Sequence, residues 1–183
     1  KKAYIAFRES RGIEPADDGF DVLRYTLLHT ISHALIRQFS IECGYASASI
    51  QERIYSIDAN HASGKGPMAG ILLMTAAADS EGTLGGLVSL GETSRFERHL
   101  RKALERATLC ASDPLCSENE ISVDGRTLHG AACHACMFVS ETSCERSNRL
   151  VDRLLLVPSA NIGTNSTVRS FFDIASYSAG NSE

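Results

Sequence analysis

Of the six cysteines in the chain, four fall as two chelating pairs, Cys110-x5-Cys116 and Cys133-x2-Cys136. Thiolates at such spacings suit zinc, which takes four tetrahedral sulfur or nitrogen donors at about 2.0–2.3 Å and is commonly held between two short loops. The tight half, Ala131-Ala-Cys-His-Ala-Cys136, is the stronger signal. The other half needs a wider loop, and Asp113-Pro114 supplies a turn within it. Cys144 and His134 are alternates for one of the four ligands. A disulfide framework is the competing use of six cysteines. However, a chain of 183 residues exceeds the small secreted scaffolds that need stapling, and residues 1–20 hold no apolar signal core. Cys43 reads as an ordinary buried thiol on an apolar helix face.

His29 and His33 stand one helical turn apart, a spacing at which two imidazoles can share a metal. The glutamate of an H-E-x-x-H protease is missing, because position 30 is Thr. Amid apolar neighbours, a pair of satisfied core histidines is the ordinary reading. Asp79 and Glu81 follow an apolar run on a glycine turn, where functional groups often sit. A fold that gathers His29, His33, Asp79 and Glu81 makes a second metal site or a hydrolytic site. Otherwise these groups form a hydrogen-bond network pinning strand to helix. Arg98, Arg101, Lys102 and Arg106 recur about a turn apart, giving either a ridge for DNA phosphates or a salt-bridged solvated face. Arg146, Arg149 and Arg153 repeat the pattern, with no interleaved aromatic residues on which bases could stack. Ser63-Gly-Lys-Gly66 lacks the earlier glycine and the following Ser or Thr of a phosphate loop, which excludes an ATP motor in this chain. The turn at Gly82, Gly85 and Gly86 is led by two carboxylates, which disfavour a nucleotide.

The elements that must position these groups are legible as periodicities. Leu23, Leu27, Ile31 and Leu35 recur at i, i+4 and predict a long helix over 20–42, halted by Gly44. Ser49-x-x-Glu52 has the form of a capping box and predicts a short second helix. The apolar run over 70–76 predicts a buried strand. Ser94-x-x-Glu97 opens a helix through 109, with Phe96, Leu100, Leu104 and Ala107 inward and Cys110 delivered at its end. Alternation over 121–128 around Asp124-Gly125 predicts a hairpin. Thr142-x-x-Glu145 caps a last helix that ends before Pro158.

The architecture expected is α+β, mainly helical, with a small sheet and a cysteine-ligated zinc site. It comprises an amino-terminal extension (1–19), the domain (20–157), and a polar linker and tail (158–183) in which Phe171-Phe172 docks. A chain that is 43% hydrophobic can bury one substantial core. Its net charge of −4 excludes a surface basic all over, so any nucleic-acid contact rests on a local patch or a partner. No run approaches the ~20 apolar residues of a membrane helix, and a cytoplasmic protein without membrane contact is expected. The opening at Lys1 reads as the excised end of a longer protein.

Several blocks together resemble a known family. They are residues 28–35 (Leu-His-Thr-Ile-Ser-His-Ala-Leu), 42–45 (Glu-Cys-Gly-Tyr), 52–56 (Glu-Arg-Ile-Tyr-Ser), 79–87, 110–116 and 132–136, together with Cys144-Glu145-Arg146 and Asp152-Arg153. In order and spacing they look like the MrfA-associated zinc-binding domain, the carboxyl-terminal module of MrfA-type DNA-repair helicases, over roughly 25–157. The Ser-Asp-Pro-Leu-Cys and Ser-Glu-Gly-Thr-Leu-Gly-Gly forms most resemble the branch found in the DISARM anti-phage system. The resemblance implies zinc on Cys110, Cys116, Cys133 and Cys136, and Cys144 is extra to that pattern. It also implies a noncatalytic module that assists a helicase subunit, or a covalently linked helicase region, through partner docking and DNA-backbone contact. The setting is anti-phage defence or, alternatively, DNA repair. A metal-dependent hydrolase built on His29, His33, Asp79 and Glu81 is the reading of a different class.

Overall fold

A computed structural model describes residues 1–59, 64–76, 86–119, 121–159 and 170–172. Its axis is helix α2 (Val22–Cys43), about 33 Å long at 1.5 Å per residue. The Asp21 carboxylate caps its start by accepting the Arg24 N–H at 3.0 Å, and Gly44 ends it in the left-handed conformation at φ 75°. The leucine row read from the sequence is largely buried, with Leu35 in the core and Leu27 and Ile31 packed against it. Leu23 is 66% exposed, whereas Tyr25, His29, Ser32, Ile36 and Phe39 face inward. Polar residues share the core side of α2, which is why the apolar pattern understated it.

Three clusters of buried side chains pack round this helix. One joins Ala34 to Ala103, Leu104 and Ala107 of helix α4 (Thr93–Ala107) and to Ala132 and Met137 of the second cysteine loop. Another sets Leu35, Ile36 and Phe39 against Ile50, Val139 and Cys144. The last gathers Tyr4, Tyr25, Ile54, Leu128 and Leu150. Helix α1 (Lys2–Ser10) supplies Tyr4, so residues read as an extension contribute to the core. A further short helix, α3 (Gly86–Leu90), precedes α4. In α4 the inward residues are His99, Ala103, Leu104 and Ala107, and the expected Phe96 is 36% exposed. Phe171 and Phe172 dock as expected, their N–H groups donating to the Leu155 and Leu156 carbonyls at 2.8 Å.

The short helix predicted after Ser49 is instead a 3-10 turn, Ser47–Ser49, leading into strand β1 (Ile50–Ile57). Strand β2 (Met68–Thr75) pairs with it antiparallel, from Ile50 opposite Thr75 to Ile57 opposite Met68. Ile50, Glu52 and Ile54 are buried, while Arg53 and Tyr55 face out. An inward glutamate disguised this alternation as a capping box. β2 is only half-buried, because one face of the two-stranded sheet is open. The hairpin expected over 121–128 is a single turn without strands among the described residues, closed by Gly125 N–H to Ser122 O at 3.0 Å.

The helix predicted after Thr142 is absent, apart from a 3-10 turn at Arg153–Leu155. Ser147, Asn148 and Leu150 have φ of 51°, 58° and 58°, which interrupts any right-handed helix. Asn148 takes the place of the helical ladder: its side chain accepts from Val139 N–H and donates to Val139 O, each at 3.0 Å. Among the described residues no helix is long and apolar enough to cross a membrane.

Gly125 lets the turn within 121–128 approach the backbone of α1 closely. Its φ is 75°, and a Cβ there would lie 2.4 Å from the Phe7 nitrogen. Gly125→Ala is expected to cost about 1–2 kcal/mol from the left-handed backbone alone, with further loss from displacing α1. A lowered melting temperature with faster amide exchange in residues 2–10 checks this, and an unchanged melt would contradict it.

Candidate metal centre

Three separate local structures deliver the four paired cysteines. Cys110 lies just beyond the end of α4, and Cys116 lies in the 3-10 turn Pro114–Glu118. The Asp113 side chain opens that turn by accepting the Leu115 N–H at 3.0 Å. Cys133 and Cys136 sit on a tight turn in which the Cys133 carbonyl accepts N–H groups from Cys136, Met137 and Phe138 at 3.0–3.2 Å.

The sulfurs converge: all four lie within 4.8 Å of one another. Cys110–Cys133, Cys116–Cys136 and Cys133–Cys136 are each 3.6 Å apart. Four sulfurs bound tetrahedrally at about 2.3 Å stand about 3.8 Å apart, so the spacing fits zinc. It is far beyond the ~2.05 Å of a disulfide, and all six cysteines are free.

Electrostatics favour a cation in this cage. Burial, joined by the neighbouring Cys133, pushes the Cys116 thiol up to about 11, and burial with Cys116 nearby drives Cys136 up as well. Burial also opposes ionisation of Cys133, but the Cys136 and Ala135 backbone amides and the Cys110 thiol outweigh it and bring this thiol below its ordinary value. Cys133 therefore ionises more readily than an ordinary thiol, while Cys116 and Cys136 resist ionising beside it. A dication removes that conflict.

Arg37, which no sequence motif marks, holds the second loop in place. From α2 its guanidinium donates to the carbonyls of His134 at 3.2 Å, Ala135 at 2.5 Å and Phe138 at 2.8 Å. Nη1 takes the His134 and Phe138 carbonyls and Nη2 takes Ala135, so the contact uses the spread of the planar fork. The loop was legible in the sequence, but its grip by Arg37 through three carbonyls was not.

His134, the alternate ligand, is exposed, its ring edge-on to Phe138 at 5.1 Å. Cys144 is buried away from the cage, beside His29, His33 and Glu52. Asp79 and Glu81 lie outside the described residues, as do Gly82 and Gly85. His29 and His33 do come together, with rings 4.4 Å apart, and both are fully buried.

Burial works against a charged His29 ring, but hydrogen bonds to Cys144 and Glu52 outweigh it and raise the imidazole to about 9. For Glu52 burial is likewise outweighed, here by the two imidazoles, which hold the carboxyl well below its usual range. Burial would raise the Cys144 thiol, yet His29 and His33 bring it down to about 7.

The expected basic ridge on α4 is divided. Lys102 and Arg106 bond the Glu42 carboxylate at 2.8 and 3.1 Å, and Lys102, Gln38 and then Arg106 hold that carboxyl down at about 2. Arg98 and Arg101 are exposed. Arg153 is fully buried and donates to Ala107 O at 2.9 Å. Arg146 and Arg149 lie over the rings of Tyr25 and Phe7, at 5.2 and 5.3 Å.

Known proteins share the sequence that builds this geometry. The profile of the MrfA Zn-binding domain matches residues 31–137, a span that contains all four cage cysteines. A curated relative, "DISARM protein DrmB" of Bacillus paralicheniformis (strain ATCC 9945a / NCIMB 11709 / CD-2), is 47% identical over 154 residues, covering 84% of this chain and 26% of that protein. The chain thus spans about a quarter of the curated relative's length.

Proposed function

Because the chain belongs to the MrfA zinc-binding domain family, we propose that it is a noncatalytic, zinc-stabilised module of a DISARM-type anti-phage assembly, acting in the cytoplasm beside a DNA helicase. The convergence of four cysteine sulfurs within 4.8 Å carries this reading, since it supplies a complete thiolate cage with no position left for substrate. Zinc, held by Cys110, Cys116, Cys133 and Cys136, would fix the two loops against α2 and α4. The helicase is a separate subunit or a covalently linked region, and the module presents a fixed surface to it. A DNA-repair helicase is the alternative host.

DNA contact, in this proposal, is made to the backbone by the α4 ridge. Arg98, Arg101, Lys102 and Arg106 make it together, the last two while bonded to Glu42. Phosphate neutralisation releases counterions, so binding should weaken steeply with salt and show little sequence preference. Arg98→Glu with Arg101→Glu is expected to lower the steepness of the log affinity against log salt plot by about 0.9 for each phosphate that is no longer neutralised. Fluorescence anisotropy with duplex DNA across a salt series checks this. An unchanged slope moves the DNA-binding surface off α4.

The experiment for the whole reading uses the full-length defence protein in its host. Cys133→Ser should abolish co-purification with the helicase and protection against phage. Full protection with the cage disrupted would remove the module from the pathway.

A further inference from the structure

A second cluster lies on the opposite side of α2 from α4, built from His29 and His33 one turn apart on α2, Glu52 on β1 and Cys144 in the loop that follows the cysteine turn. One ligand atom from each lies within 4.8 Å of every other, and all four residues are buried. None belongs to the four-cysteine cage.

The hydrogen bonds around the cluster point its lone pairs inward. His29 Nδ1 is 3.1 Å from Leu150 O, and His33 Nδ1 is 3.0 Å from Met137 O. A carbonyl only accepts, so each Nδ1 carries a proton, and in its uncharged form each ring turns a bare Nε2 to the centre. Metal-ligating histidines show this outer bond to a carbonyl. Cys144 Sγ accepts the Asn148 and Arg146 N–H groups at 3.1 and 3.4 Å, which favours a thiolate. Glu52 Oε1 accepts the Glu145 N–H at 3.2 Å. The centre is therefore ringed by acceptors and requires a cation.

A proton meets this need only in part. On His29 Nε2 it lies within reach of Glu52 Oε1 at 2.7 Å and Cys144 Sγ at 3.1 Å. His33 Nε2 is 3.6 Å from Glu52 Oε1, and both His33 Nε2 and Glu52 Oε2 are buried without a hydrogen-bond partner. Orphaned buried polar atoms are costly and call for a ligand.

We propose that His29, His33, Glu52 and Cys144 form a second, structural zinc centre. Imidazole and carboxylate suit several divalent metals, and a thiolate beside them selects zinc. One thiolate and one carboxylate neutralise the dication, leaving no net buried charge. Four protein donors with no exposed face close the site to substrate, which separates it from a hydrolytic centre. Its effect would be to clamp β1 and the Cys144 loop to α2. The family match places His33 and Glu52 within its span and His29 and Cys144 outside it.

Metal content and native mass spectrometry of the 183-residue chain test this, with Zn2+ and then Co2+ as the probes. About two metals per chain are expected. Glu52→Gln, which keeps the side-chain volume, should hold one fewer and leave the intense thiolate-to-cobalt absorption of the four-sulfur cage in place. Cys133→Ser separates the centres: in any folded fraction it should retain the metal that Glu52→Gln loses. Equal metal content in Glu52→Gln and the unaltered chain overturns the second centre. Should Glu52→Gln fail to fold, the unaltered chain decides: after saturation with Zn2+, two metals uphold the proposal and one overturns it.

Discussion

Cys133→Ser should empty the four-cysteine cage and unfold much of the chain. Cys133 lies 3.6 Å from both Cys110 and Cys136, so its loss opens the centre of the sulfur array. Structural zinc contributes about 10–16 kcal/mol in zinc-finger peptides, as much as the entire net stability of about 5–15 kcal/mol typical of a domain. The cage also anchors packing, since Ala132 and Met137 beside it enter the cluster formed by α2 and α4. Circular dichroism melts with and without chelator measure the effect. The serine variant is expected to melt without cooperativity or to aggregate, and the chelated parent chain should behave likewise. A variant that melts as the parent does would contradict a zinc-dependent fold.

Arg37→Ala is expected to weaken zinc binding about 10–100-fold, the usual cost of removing a group that orients metal ligands. Its guanidinium holds three carbonyls of the loop that carries Cys133 and Cys136. Hydrogen bonds from a charged donor are worth about 1.5–3 kcal/mol each, and the loop carbonyls can regain part of that from water. Arg37→Lys should recover little, because an ammonium is a point donor. Arg53→Ala serves as the control, since its partner Glu145 is 3.6 Å away and the Arg53 side chain is 62% exposed. Competition against a chelator of known affinity reads the shift. Equal zinc affinity in Arg37→Ala would show that the loop is shaped by its own turn.

What the sequence showed clearly was whatever repeats locally. Helix α2 was legible because its leucines recur at helical spacing and Gly44 stops it, and α4 was legible from its amphipathic pattern. The cage was legible because Cys133-x2-Cys136 is a short-range signature. Long-range pairing was hidden. Glu52 points inward only because β1 alternates against β2, and its partners His29 and Cys144 stand far from it in sequence. The segment after Thr142 has helical composition, yet Asn148 ties its backbone to Val139 and three left-handed residues break the spiral. Tertiary contacts there override propensity. The same physics divided the α4 ridge, where Glu42 at the end of α2 draws Lys102 and Arg106 to itself.

The thiolate-bound zinc is tested most directly by X-ray absorption at the zinc edge on the purified chain. A sulfur shell at about 2.3 Å is expected, with about four sulfurs per zinc if the cage alone is loaded and between about two and three if the centre at Cys144 is loaded too. A shell of nitrogen and oxygen with one sulfur or none per zinc would contradict a cage formed by Cys110, Cys116, Cys133 and Cys136.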